Sequence, residues 1–324
     1  MKTGFERVIC ALVILFGMGG AAAGQDYPAK PIRLVVPFPA GGVVDFVARQ
    51  IGQKMSNAMR QPVVVENRAG ASGTIATEAA AKSEPDGYTL LVVFDNHAVN
   101  PHVYKNLHYD TFKDLAPVSL VAQIPLAFMS NRNFEANTVA DLVRVARAKP
   151  GALNYGSPGP GTSGHLAVEQ FKLQAGVNML HVPYRGGAPL LTALLGEQVQ
   201  LGVAAPSAFV ANIKEGKLKA LAVTGQKRSP TLSDVPTMIE AGYPALNSGA
   251  WIGLVVPAGT PEKVIERLNR EANKAVKDPS HGKTFAAQMI EPIGTTPAEF
   301  GKFLRAEHDK WGKVIRDANL NLQP

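Results

Sequence analysis

Three short stretches of the sequence combine glycine, serine and proline in the way an anion-holding turn requires. The first is Pro37-Phe38-Pro39-Ala40-Gly41-Gly42-Val43-Val44-Asp45 and the second Gly156-Ser157-Pro158-Gly159-Pro160-Gly161-Thr162-Ser163-Gly164-His165. The third is Tyr184-Arg185-Gly186-Gly187-Ala188-Pro189. Each follows a strand-like run and leads into a segment with helical spacing. A helix start presents unpaired N–H groups and a partial positive charge, and glycine lets a ligand come close to the backbone. Such a turn holds a small anion without any cationic side chain. One turn of this kind is ordinary turn chemistry; three in one chain favour an anion site.

Other chemistries fit these residues less well. Gly159, Gly161 and Gly164 spell G-x-G-x-x-G, but no acidic residue follows the next strand to take a ribose, and Pro160 stiffens the turn. Gly161 to His165 approaches a nucleophile elbow with His165 where the closing glycine belongs. A hydrolase using Ser157 or Ser163 with His165 is therefore the enzyme alternative. Ser280 to Lys283 matches S-x-x-K without its companion motifs. His97, His102 and His108 are spaced by five and six, which puts them on no common helix face, and no H-E-x-x-H occurs. No catalytic residue, metal or cofactor is expected.

The elements that must position the turns alternate along the chain. Strand patterns cover Ile32 to Val36, Val63 to Val65, Tyr88 to Val93, Val118 to Val121, Leu126 to Met129, Met179 to Val182, Gln198 to Val203, Lys219 to Val223 and Trp251 to Val256. Helical patterns cover Gly42 to Met59, Thr74 to Ala81, Val139 to Ala148, Ser163 to Gln174, Pro189 to Leu195 and Ala208 to Glu215. This order predicts an α/β architecture with mainly parallel sheets flanked by helices. Ligands of such sheets settle beyond the carboxyl ends of the strands, where strand-to-helix turns lie. The last seventy or so residues read as charged outer helices, one starting at Pro261 with an expected Glu266–Arg270 pair and one from Pro297 to Arg316.

Composition narrows the class. A chain of 324 residues with 46% apolar and 18% charged residues is neither disordered nor a coiled coil, and its length suggests two domains. Lys2 and Arg7 precede an apolar run from Val8 to Met18 and the small residues Ala21 to Ala23, so residues 1–23 are expected to be a cleaved signal peptide. Its removal takes the one cysteine, Cys10, and lowers the formal charge from +7 to +6 by loss of Lys2, Arg7 and Glu6. A cysteine-free exported body suits the bacterial periplasm and excludes thiol nucleophiles, cysteine-held zinc and iron–sulfur clusters. Basic residues are scattered, with Lys227-Arg228 the longest run, so small anions are better partners than nucleic acid.

Several further segments complete a pattern: Tyr27 to Ile32, Gly41-Gly42 with Asp45, Pro62 to Gly70, Pro85 to Leu91, Asn154 to Ser157, His181 to Gly187, Gly216 to Thr224, Val235 to Thr237 and Trp251 to Leu254. In this order they resemble the periplasmic substrate-binding proteins of tripartite tricarboxylate transporters, the Bug-type receptors. Ala40 stands where that family often has a second proline, and Pro158 and Pro160 crowd the second turn.

The resemblance implies a two-lobed, Venus-flytrap periplasmic binding protein. Lobe 1 would comprise residues 25–123 and 246–324, and lobe 2 residues 124–245. It further implies a small di- or tricarboxylate or aromatic acid as ligand, delivery to integral membrane transporter subunits, and a monomeric receptor. A sensor kinase is the alternative partner. On this chain the ligand contacts would be Phe38, Ala40, Gly41 and Gly42 from one lobe and Gly156, Ser157, Gly159 and Thr162 from the other. Asn96, His97, Ala205, Pro206 and Ser207 would reach its far end. Arg185 is read either as a cation facing the cleft or as a brace for its turn. Asp45 is read as complementing a helix start, because a carboxylate aimed at an anionic ligand would repel it. Two helix starts suit two carboxylates, with Phe38 leaving room for an aromatic acid.

Overall fold

The computed structural model describes residues 27–247 and 249–322; the expected signal peptide lies outside them. The β-branched run of β1 (Ile32–Val36) ends at Pro37, and α1 (Val43–Met59) then buries Val44, Val47, Ala48, Ile51, Met55 and Met59 along one face. The chain continues through β2 (Val63–Asn67), α2 (Thr74–Ala81), β3 (Thr89–Phe94), α3 (Asn96–Val103) and β4 (Leu115–Ile124). A second set follows: β5 (Ala127–Asn131), α4 (Val139–Ala148), β6 (Asn154–Ser157), α5 (Ser163–Ala175), β7 (Leu180–Pro183), α6 (Gly187–Leu195), β8 (Leu201–Ala204), α7 (Val210–Lys214) and β9 (Leu218–Val223). The chain then returns through β10 (Ala250–Pro257), α8 (Glu262–Val276), α9 (Gly282–Ala287), β11 (Glu291–Pro292) and α10 (Pro297–Asp317).

Two sheets result, ordered β11-β4-β10-β3-β1-β2 and β7-β6-β8-β5-β9. They are mixed rather than uniformly parallel. In the first, β2 and β3 run parallel to β1 while β10 runs against β3 and β4; in the second, β7 and β8 run parallel to β6 while β5 runs against β8 and β9. The cause is the path of the chain. Strands β4 and β9 leave their sheets at the carboxyl edge, so β5 and β10 enter the other sheet at that same edge and must run against the parallel strands. The carboxyl edges of the two sheets therefore meet at the crossings. There the chains lie side by side, with Ala250 paired to Ile124, and a side chain on Gly249 would strike the Ile124 carbonyl oxygen at 2.0 Å.

Helix α10 ties the halves together. A capping box between Thr296 and Glu299 starts it, and Phe300 packs on Trp251 where Gly253 leaves space for the ring. Burial of Phe300 alone stabilises by roughly 2–3 kcal/mol. Farther along, Trp311, Val314 and Ile315 form one cluster with Val99 of α3 and Leu166 of α5. On α8 the expected Glu266–Arg270 pair does not form. Arg270 instead reaches Glu271 at 3.3 Å, because that nearly buried carboxylate also draws Arg267 and needs the charge. No helix among the described residues is long and apolar enough to cross a membrane.

Candidate functional site

At the carboxyl edge of the first sheet, Pro37 to Gly42 turns the chain from β1 into α1. Gly41 has φ +89°, a conformation that favours glycine, and Gly42 starts the helix with no side-chain cap. Phe38 is half-buried, its ring edge-on to Phe94 at 5.7 Å, while Ala40, Gly41 and Gly42 are exposed. Asp45 does complement the helix start: its carboxylate accepts from the Gly41 N–H at 2.9 Å, from Asn67 at 2.8 Å and from Arg49 at 2.9 Å. Burial alone would push this carboxyl up, but the bonds from Arg49, Gly41 and Asn67 hold it at about 2. Asp45 is thus occupied within its own loop.

Asn96 stands at the same edge, but its amide is engaged by the backbone. It donates to the Ser72 carbonyl, which also accepts from Asn100 at 3.1 Å, and so fixes a turn in which Ala71 and Ser72 have positive φ. His97 is buried, and neither ring nitrogen has a partner. Burial pushes its imidazole down to about 4, so it is neutral at pH 7.

At the carboxyl edge of the second sheet the structure brings the second and third turns and the Ala205 to Ser207 turn together, because β6, β7 and β8 are parallel neighbours. The Tyr184 N–H donates to the Ser157 carbonyl and the Gly186 N–H to the Pro158 carbonyl, both at 3.0 Å. Gly156 serves packing, since a side chain there would overlap Leu190 and Tyr184. Thr162 caps α5, accepting from the His165 N–H, and its hydroxyl donates to the Gly159 carbonyl at 2.8 Å. Helix α6, by contrast, starts at Gly186 with no side-chain cap. Pro206 is buried, and Ala205 and Ser207 are half-buried. Arg185 is exposed and has no ion pair among the described residues.

Ser157 does not meet His165. It shares a hydrogen bond of 2.7 Å with His181 Nε2, while His165 Nδ1 accepts from the Gly161 N–H at 3.1 Å. The two imidazoles stack at 3.8 Å, and Glu169 behind them is bound by Tyr155 at 2.5 Å and Lys172 at 2.8 Å. Burial pushes His165 down to about 4 and His181 down to about 3, which makes His181 a weak base. With Ser157 fully buried, this is a structural cluster rather than a poised nucleophile.

Ser163 pairs across the sheets instead. Asp95, the residue directly after β3, lies beside the Ser163 hydroxyl and N–H and the Asn96 N–H, which favour its ionised form against burial. The start of α5 is thereby met by a carboxylate of the protein itself. Only an acid closing an apolar strand marked Asp95 in the sequence.

Two lobes that meet edge to edge, with glycine-started helices on both sides of the junction, are the architecture of a solute-binding receptor. The sequence profile of the tripartite tricarboxylate transporter family receptor matches residues 47–320, and the chain belongs to that family. Protein BugT of Bordetella pertussis is 35% identical over 322 residues, which cover 98% of this chain and 99% of BugT. An R. palustris protein solved with adipate superposes with a TM-score of 0.81 at 34% identity, covering 91% of this chain and 99% of its own. MatC from Rhodopseudomonas palustris with bound malate gives 0.76 at 30% identity, covering 89% and 100%. The chain is a receptor of the periplasmic solute-binding kind.

Proposed function

We propose that this receptor captures a small carboxylate between its lobes and hands it to the integral membrane subunits of its transporter. The observation that carries the reading is the pair of uncapped helix starts, α1 at Gly42 and α6 at Gly186, at the facing edges of the two sheets. Adipate and malate in the similar structures are small carboxylates. In this reading residues 25–123 and 246–324 make lobe 1 and residues 124–245 lobe 2, residues 1–23 are removed on export, and the mature receptor acts as a monomer without catalysis. A ligand that touches both lobes favours closure by its differential affinity for the closed state.

The test is thermal unfolding against a panel of mono-, di- and tricarboxylates. A specific ligand at one hundred times its Kd stabilises by about 2.7 kcal/mol. That corresponds to roughly 5 °C or more in melting temperature. A panel in which no carboxylate moves the transition would overturn the reading.

A further inference from the structure

Five carboxylates of the described residues are nearly or fully buried: Asp45, Asp95, Glu169, Glu271 and Glu307. Four have a basic partner, namely Arg49 for Asp45, Lys172 for Glu169, Arg267 and Arg270 for Glu271, and Lys310 for Glu307. Among the described residues Asp95 has none. It is 2% exposed and its Oδ2 has no hydrogen-bond partner at all.

Its position gives that oxygen a meaning. Asp95 closes β3 at the carboxyl edge of the first sheet, next to Phe94, whose ring meets Phe38 of the first turn. The groups that bear on it come from both sides of the junction, the Asn96 N–H from its own sheet and Ser163 from the second turn of the other, with repulsion from the Glu307 carboxylate of α10. Two residues on, both ring nitrogens of His97 are likewise buried and unpartnered. The junction between the sheets thus contains a buried carboxylate with one oxygen unsatisfied and, among the described residues, no ion-paired cation.

We propose that Asp95 is the counter-group for a hydrogen-bond-donating nitrogen of the ligand, so that the ligand is a small carboxylate that also carries an ammonium or amide N–H group. This rests on the carboxylate-receptor reading above and makes it narrower. An N–H donor would satisfy Oδ2 and supply the missing positive charge, whereas a second ligand carboxylate brought to the same place would meet repulsion. The helix starts at Gly42 and Gly186 remain for the carboxylate end. Burial pushes the Asp95 carboxyl up to about 6, as befits an acid without a counter-ion.

Titration calorimetry at pH 7.5 on length-matched probes tests this: succinate against β-alanine and succinamate, and adipate against 5-aminopentanoate and adipamate. The expected result is an amino- or amido-carboxylate binding at least tenfold more tightly than its matched dicarboxylate. Asp95→Asn should lower the affinity for the ammonium ligand at least tenfold and narrow its gap to the dicarboxylate. A dicarboxylate that binds best, with Asp95→Asn leaving its affinity unchanged, overturns the assignment while the receptor reading stands. If no probe and no member of the wider carboxylate panel binds, the receptor reading falls and this assignment with it. Should Asp95→Asn fail to fold, the wild-type ratio between matched probes still decides, with Asp95→Ser as the second variant.

Discussion

Ser157 Oγ lies 2.7 Å from Nε2 of His181, a hydrogen bond between neighbouring strands β6 and β7 just where the second and third turns begin. The His181 ring is stacked on His165, which accepts from Gly161 and so holds the far end of the second turn. One polar pair therefore sets the shape of both turns. Ser157→Ala should cost about 1–3 kcal/mol in urea unfolding, because it leaves His181 without its partner. An unchanged midpoint would mean that the pair contributes nothing to stability.

Stability should fall as the solution is acidified from pH 6.5 to 4. Burial holds His97 and His165 at about 4 and His181 at about 3, so at these three rings the unfolded chain takes up protons in this window before the folded one does, and burial lowers His102 and His281 in the same sense. Depressed histidine values contribute stability that is complete above about pH 6.5 and is lost as pH falls. Asp95, held up at about 6, acts with the opposite sign, since the folded state binds its proton first. For His97, His165 and His181 against Asp95 the net of about two protons gives roughly 3 kcal/mol per pH unit at the steepest, and His102 and His281 add to it. Denaturant titrations between pH 4.5 and 7.5 measure the slope; a flat profile would contradict the burial of these rings.

Two glycines separate folding from binding. A side chain on Gly164 would stand 2.2 Å from the Val203 carbonyl oxygen, a clash with backbone, so Gly164→Ala should destabilise by about 3 kcal/mol. Gly42 has φ −79° and its nearest obstacle is the Pro39 oxygen at 3.9 Å. Gly42→Ala should leave stability within about 0.5 kcal/mol. It should nonetheless weaken carboxylate binding about tenfold, some 1.4 kcal/mol. Full affinity in that variant would place the anion elsewhere than the start of α1.

Ligand-induced fluorescence should come from Trp311 and not from Trp251. Trp251 is fully buried among Phe300 and Phe303, all within elements of the first sheet and its covering helix. Trp311 shares a cluster with Leu166 at the start of α5, and Lys310 lies 4.0 Å over its ring. Trp311→Phe is expected to abolish the change on adding ligand and Trp251→Phe to preserve it.

The strands are legible in the sequence because runs such as Ile32–Val36 and Thr89–Phe94 are β-rich and end at proline, glycine or a polar residue. Helix α3 is not. Asn96, His97, Asn100 and Pro101 have the composition of a loop, and what holds them helical is distant: the Ser72 carbonyl under two asparagine amides, and His102 bonded to the His308 carbonyl at 2.9 Å. The turn before α1 is readable as an uncapped glycine start. By composition the turn before α5 is equally open, yet its helix is capped by Thr162 and met by Asp95, a partner so distant along the chain from Ser163 that no local pattern reveals it.

The pairing of Ala250 with Ile124 brings the two crossings of the chain to one place, so the segment between them begins and ends at neighbouring points. A unit with adjacent ends can be lifted out and replaced without stretching the host, as in tolerated domain insertions. Half of the proposed binding site is thereby transplantable. A receptor of this design can acquire a new specificity by exchanging the inserted half alone, while the half that carries Asp95 stays unchanged.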